Sequence, residues 1–181
     1  MDVLERLLYD LYSCLDEDSL LEAKIIIQNI ELIVLGDSNA TSTPLDNEYV
    51  MNLLFQSETP PNILKFLNSG VRHKDKVITQ GKIEAYKFIA KYIIYLGLQV
   101  ESLVLVIFNN CYDMFRHEES KEVKQNCLLP IKKILSLGLV RNVTNIQSCM
   151  NRSSNSALVY IEKSLTPTNI NLTSLYHFEA K

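Results

Sequence analysis

The chain of 181 residues is long enough for one domain with a sizeable core, because 47% of its residues are hydrophobic. That content excludes a chain that is disordered throughout, and the lack of an uninterrupted apolar run of about 18 residues excludes a membrane span. The net charge of -3 is unevenly distributed, since residues 1–58 carry twelve carboxylates and two cationic side chains whereas residues 59–181 carry nine and sixteen.

The first 36 residues have the spacing of a helical hairpin. Apolar side chains recur every three or four positions over residues 2–15 and again over residues 19–35. The acidic residues 16–18 favour a turn between the two helices, because their carboxylates can accept hydrogen bonds from the exposed amides that begin a helix. Gly36 follows the second apolar run and can adopt the left-handed conformation that ends a helix.

A loop and two shorter helices are predicted next. Residues 37–47 are rich in turn-forming residues and have no apolar period, so we expect a mobile surface loop there. A short helix is predicted over residues 48–56. A fourth helix is predicted from Pro61 to about residue 70, because proline is accepted in the first turn of a helix.

Three apolar helices between residues 74 and 139 are predicted to be the part around which the rest of the chain is arranged. The first covers residues 81–97, with Lys87 and Lys91 four positions apart on its polar side. The second, over residues 100–115, has almost no polar face in its first three turns. It is therefore predicted to lie between two neighbours and to form the centre of the core.

The third of these helices is predicted to begin at Ser120, whose side chain can cap it, and to end at Leu137 and Gly138. Pro130 lies inside it and is predicted to bend or break the helix. Two short helices near residues 145–150 and 154–165 are predicted to follow. Because no run alternates in the manner of a strand, the sequence predicts an all-α fold.

One helical domain is predicted over residues 1–165, followed by a tail over residues 166–181. We expect the tail either to be disordered or to contact a partner through Tyr176 and Phe178. The acidic, helix-periodic amino terminus is unlike a secretory signal, which predicts an intracellular protein of the cytoplasm or nucleus.

Three predicted helices end in the pair Leu-Gly, and the last two of these glycines, Gly97 and Gly138, are 41 residues apart. Residues 128–135, which read Leu-Leu-Pro-Ile-Lys-Lys-Ile-Leu, resemble the first helix of a HEAT repeat, and residues 153–161 are similar to its second helix. The resemblance implies a short α-solenoid of HEAT-like or armadillo-like hairpins over residues 82–165. An irregular helical bundle is the alternative.

Motifs that carry catalysis are missing from the sequence. The three histidines lie in charged connectors or the tail, and the sequence contains neither a glycine-rich phosphate loop nor a nucleophile elbow. The four cysteines, Cys14, Cys111, Cys127 and Cys149, form no C-x-x-C pair and are predicted to be free thiols. The sequence thus predicts a protein that is not an enzyme and holds neither a metal nor a cofactor.

The basic residues of the central helices are the feature of the sequence that points most specifically to a function. A solvated surface is the simpler interpretation, whereas the functional one is a surface that holds an acidic or phosphorylated segment of a protein partner. Nucleic acid is a weaker candidate, because arginine is scarce in these segments and the chain contains no tryptophan. The candidate partner-binding residues are Lys82, Lys87, Lys91, Lys121, Lys124 and Lys132, together with Tyr176 and Phe178 of the tail.

These observations predict a non-catalytic protein–protein interaction module or scaffold within a larger intracellular complex. Two alternatives remain at this point. One is a scaffold subunit that associates with nucleic acid through the basic second part of the chain. The other is a helical bundle that, like a Bcl-2-type module, takes a partner helix into an apolar groove.

Overall fold

A computed structural model of the protein describes residues 2–16, 18–36, 47–69, 76–95, 101–118 and 120–137. These residues contain α-helices and no strand, so the predicted all-α class is confirmed. A short 3-10 turn, Ile93–Tyr95, follows the fifth helix. The helices are α1 (Val3–Ser13), α2 (Ala23–Leu35), α3 (Asn47–Phe55), α4 (Ile63–Asn68), α5 (Lys76–Tyr92), α6 (Glu101–His117) and α7 (Lys121–Ser136).

Several predictions concern residues outside this set. They include the loop over residues 37–46, the glycines Gly97 and Gly138 on which the repeat spacing depends, and the two short helices predicted after residue 139. The predicted end of the domain at residue 165 also lies outside the described residues. The described helices by themselves establish no repeat.

Capping residues set several helix ends. Gly36 ends α2 as predicted, with a φ of 74°, and its amide donates a hydrogen bond to the Leu32 carbonyl at 3.0 Å. Ser120 begins α7 as predicted, because its hydroxyl oxygen accepts a hydrogen bond from the Val123 amide at 3.4 Å.

The predicted start of α4 at Pro61 is wrong, since Asn62 is the capping residue. Its side-chain oxygen accepts hydrogen bonds from the amides of Leu64 at 3.0 Å and Lys65 at 3.2 Å. Its side-chain amide also donates to the Ser57 carbonyl at 2.8 Å. Proline is tolerated at the start of a helix, but here the Asn62 side chain makes the capping hydrogen bonds. Helix α4 therefore begins at Ile63.

Pro130 does not break α7, which runs without interruption to Ser136. Proline removes one backbone hydrogen bond from a helix, but the apolar face of α7 is buried on both sides of that position. Cys127, Ile131 and Ile134 are all inaccessible to solvent. Packing of this face therefore preserves the helix, as it does for most helices in folded proteins.

The described helices contact one another in two series. In one series α1 contacts α4 and α4 contacts α6, while in the other α2 contacts α5 and α5 contacts α7. Each helix of the first series also contacts the helix that follows it in the chain, which belongs to the second series. These pairs are α1–α2, α4–α5 and α6–α7. Helix α3 lies against α1 and α4.

Helix α5, rather than α6, is the centre of the described part. It packs against α2 and α7, whereas α6 packs mainly against α7 among the described residues. Apolar spacing alone misplaced the centre, because α6 leaves Ser102, Val106 and Asp113 exposed. The apolar stripe of a helix indicates how much of it is buried, but not which neighbouring helix supplies most of the contacts.

Helices α5 and α2 approach closely where Gly81 meets Ala23. A Cβ atom added at Gly81 would lie 2.4 Å from the Ala23 Cβ, so only glycine fits without a shift of one helix. The sequence places Gly81 at the start of its predicted helix. In the structure α5 begins five residues earlier, at Lys76, and Gly81 lies within it.

Gly81→Ala is expected to destabilise the protein, although alanine is the better helix former. The new methyl group would overlap Ala23, and forcing extra atoms into a packed interface costs about 1–3 kcal/mol. Urea unfolding followed by circular dichroism measures the change. Gln80→Ala, at the exposed neighbouring position, is the control and should leave stability within about 0.5 kcal/mol. A more stable Gly81→Ala protein would contradict the close contact.

A second pair of neighbouring positions tests the inner face of α6. Ile107 is 0% exposed and Val106 is 48% exposed. Ile107→Ala should therefore lower the free energy of unfolding by about 2–5 kcal/mol. Val106→Ala should cost less than about 1 kcal/mol, and equal losses from both variants would show that α6 is oriented differently.

Candidate partner-binding groove

A groove of about 410 Å³ runs along the surface between α5 and α7. Four lysines line it, and the remaining lining residues are small or apolar apart from one serine. Its residues are Lys87, Ala90 and Lys91 from α5 and Leu129, Lys132, Lys133 and Ser136 from α7. The groove thus combines an apolar floor with a cationic rim.

Helical spacing brings these side chains together. On α5, Lys87 and Lys91 are one turn apart and exposed, while the intervening Phe88 and Ile89 are buried. On α7, Ile131 and Ile134 are buried, which leaves Lys132 and Lys133 partly exposed beside them. The same apolar residues that anchor the two helices therefore hold the lysines at the surface.

Helices α2, α5 and α7 run in the same direction. Ala23 near the start of α2 lies beside Gly81 in the first half of α5, and Glu31 further along α2 lies beside Lys91 near the end of α5. Along α7, the later residues Leu129 to Ser136 share the groove with Lys87 and Lys91. The groove consequently lies between the carboxyl-terminal halves of two parallel helices.

The structure brings together three of the predicted partner-binding residues, namely Lys87, Lys91 and Lys132. Lys133 and Ser136 belong to the same groove and were missed by sequence reasoning. The only signal for Lys133 was its position next to Lys132. One helix sequence cannot show which flank of its polar face a neighbouring helix will meet.

The prediction that Lys82 shares this surface is wrong, because Lys82 is only 4% exposed. Nine residues separate it from Lys91, and at 100° per residue this spacing places the two side chains on opposite sides of α5. Burial lowers the pKa of the Lys82 ammonium, while the nearby Glu118 carboxylate acts in the opposite direction. Helical spacing by itself therefore separates Lys82 from the face of α5 that carries Lys91.

The other predicted residues lie elsewhere. Lys121 and Lys124 are near the start of α7, eight or more residues from Lys132, which is about 12 Å or more along a helix axis. The Lys124 ammonium lies 5.0 Å from the centre of the Phe115 ring of α6, in a cation–π contact. Tyr176 and Phe178 lie outside the described residues.

One of the groove lysines already has an acidic partner. The Lys91 Nζ atom lies 2.6 Å from Oε1 of Glu31 on α2, so this ion pair connects two helices. Within the described ranges, no carboxylate forms an ion pair with Lys87, Lys132 or Lys133. Three ammonium groups of the rim thus have no acidic partner in the described part of the chain.

A second cluster of ionisable groups is buried where α5, α6 and α7 meet, and it contains Tyr86, Cys111 and Cys127. Burial raises the pKa of Cys111 well above its usual value and that of Cys127 to about 12. Both thiols are therefore protonated at neutral pH, whereas reactive cysteines have lowered pKa values. This cluster has the properties of a packed core.

Within the parts of the chain that the structure describes, no group of three histidine, cysteine or acidic residues could hold a metal ion. None of the described helices is both long and apolar enough to cross a membrane. Comparison of the chain with protein-family models, curated proteins and solved structures finds no match. The groove is therefore interpreted from its own geometry.

Because of the buried thiols, we expect the free energy of unfolding to decrease at alkaline pH. The pKa of Cys127 rises from 9.0 to about 12 on folding, so its contribution is fully present below pH 9 and is lost between about pH 9 and 12. By about pH 10 this one thiol should cost about 1 kcal/mol of stability. Urea unfolding of the reduced protein between neutral pH and pH 10 should show a smaller loss in Cys127→Ala.

Leu128→Ala is the matched control for the thiol variant. It removes a buried side chain at the next position of α7 but no titrating group, so its stability should fall with pH as steeply as that of the wild type. Equal pH slopes in Cys127→Ala and the wild type would show that this thiol does not titrate abnormally.

Proposed function

We propose that this protein is a non-catalytic interaction module of a larger intracellular complex, and that its α5–α7 groove holds an acidic or phosphorylated segment of a protein partner. One observation carries the proposal: Lys87, Lys91, Lys132 and Lys133 surround a floor formed by Ala90 and Leu129. A cationic rim selects anionic segments and speeds their association, while an apolar floor supplies affinity through burial.

The size of the groove favours an amphipathic segment. Its volume of about 410 Å³ lies near the lower end of the range of about 300–1,000 Å³ for ligand sites, which is enough for a few apolar side chains. Two apolar residues one helical turn apart could rest on Ala90 and Leu129. Acidic residues on both sides of them would then face the lysines of the two walls.

The contacts between helices support a HEAT-like or armadillo-like arrangement. Helices α2, α5 and α7 form one series of parallel neighbours, and α1, α4 and α6 form the series behind it. Three consecutive antiparallel hairpins stacked side by side would produce these contacts, and solenoids commonly bind partners along such layers. We therefore propose a short solenoid of three hairpins, with α3 as an insertion.

Helix stability is the competing explanation for the lysines. Lys91 and Lys133 lie in the last turns of their helices, where positive charges interact favourably with the helix dipole. That effect requires no partner and contributes about 0.3–1 kcal/mol at most exposed sites. A test of the proposal must therefore measure binding and stability separately.

The variant Lys87→Glu with Lys132→Glu reverses one charge on each wall of the groove and leaves the Lys91–Glu31 pair intact. A suitable probe is a fluorescein-labelled peptide of about 15 residues, with glutamates on both sides of two leucines spaced four residues apart. We expect this variant to weaken binding more than tenfold in fluorescence anisotropy. Its melting temperature should change little, because exposed charges contribute little to folding.

Lys24→Glu with Lys76→Glu is the matched control, since it reverses the same number of exposed charges in the first turns of α2 and α5. It should retain most of the affinity for the peptide. A peptide with glutamine in place of glutamate should bind weakly to every protein. Equal losses in the two double variants would show that binding follows net charge and not the groove.

The same variants identify partners in cells. Affinity purification with mass spectrometry should recover at least one protein with the wild type and the control variant but not with the groove variant. If the groove variant retains all partners, the binding surface lies elsewhere. Recovery of nucleic acid, with affinity that falls steeply as salt is raised, would instead favour the nucleic-acid scaffold.

A further inference from the structure

The ion pair between Lys91 and Glu31 lies at the edge of the groove. Lys91 lines the groove on the α7 side of α5, and it pairs with Glu31 across the contact between α5 and α2. The Lys91 side chain is 59% exposed and that of Glu31 is 21% exposed. The ammonium is thus accessible to a ligand, and the carboxylate that holds it is the less exposed partner.

A carboxylate of the protein and a carboxylate of a ligand are the same chemical group. At a separation of 2.6 Å the Lys91 ammonium donates a hydrogen bond to Glu31 Oε1, and an anionic group in the groove would compete with Glu31 for the same positive charge. Two further N–H donors remain on the ammonium, but Glu31 neutralises part of its charge and holds it towards α2, so a ligand carboxylate is attracted less strongly while the pair persists. Lys87, Lys132 and Lys133 impose no such cost among the described residues.

We propose that Glu31 is a built-in competitor that lowers the affinity of the groove for anionic segments by occupying Lys91. This inference rests on the proposed function of the groove. By linkage, a ligand that draws Lys91 away from Glu31 also weakens a contact between α2 and α5, so the groove is coupled to the first hairpin. Neutralising Glu31 releases the fourth lysine of the rim.

Glu31→Gln tests the competition with the same glutamate-leucine peptide as the probe. Exposed and partly exposed ion pairs contribute about 0.2–1 kcal/mol, so their loss should tighten binding about 1.5- to 5-fold at low ionic strength. The gain should shrink as salt is raised, because salt screens the pair. Circular dichroism and the melting temperature establish that the variant is folded.

A double-mutant cycle separates direct competition from a general change in charge. In a Lys91→Gln background Glu31 has no ammonium group to pair with, so adding Glu31→Gln should leave the affinity for the peptide unchanged. Asp113→Asn, an exposed position on α6 with the same change in net charge, should have no effect in either background. Glu31→Asp, with a shorter side chain, is a second variant and should bind the peptide more tightly than the wild type.

The outcomes distinguish this inference from the function on which it rests. If the wild type binds the peptide and the Lys87→Glu, Lys132→Glu protein does not, the groove is confirmed. An unchanged affinity in Glu31→Gln would then overturn the competition alone. Equal tightening with and without Lys91 would also overturn it, since the effect would be long-range. If the wild type does not bind the peptide, both proposals fall.

Discussion

The contact between Gly81 and Ala23 is the constraint on which the described arrangement depends. Because only the Ala23 methyl group fits against Gly81, α2 and α5 approach closely there, and they run side by side in one direction. That register places Glu31 opposite Lys91 two turns further along. It also fixes which side of α5 remains for α7. A larger residue at Gly81 would shift α5 or α2, and α5 also contacts α4 and α7.

Burial of α5 between two neighbours explains why its exposed lysines are concentrated in a narrow strip. The buried residues of α5 are apolar or small apart from Lys82, and the exposed strip near the end of the helix carries Lys87 and Lys91. Helix α7 meets α5 in the same direction and brings its own lysines to the same end. The charges therefore collect at one end of a layer of parallel helices, where Lys91 and Lys133 also interact favourably with the helix dipoles.

The two clusters of ionisable groups differ in their exposure to solvent. In the core, burial protonates the thiols of Cys111 and Cys127 and lowers the pKa of Lys82, so charge is disfavoured there. In the groove, Lys87 and Lys91 are exposed to solvent, and Lys132 and Lys133 are partly exposed. The groove therefore presents solvent-accessible lysines beside Ala90 and Leu129, whereas the core cluster offers neither access nor a poised nucleophile.

Local signals in the sequence determined the all-α class, the cap at Ser120 and the end of α2 at Gly36. These features depend on residues within one or two turns, so spacing and side-chain type are sufficient to predict them. Sequence spacing also placed Lys87 and Lys91 on one face. Applied more strictly, the same spacing would have moved Lys82 to the opposite side.

The tertiary structure determines which other helices those faces contact. The sequence could not show that α5 is the central helix, that α7 runs parallel to it, or that Lys133 completes the rim of the groove. The pair formed by Glu31 and Lys91 joins residues 60 positions apart and leaves no periodic signal in either helix. Such contacts depend on the order and direction in which helices pack, and helical periodicity specifies only which side of each helix is apolar.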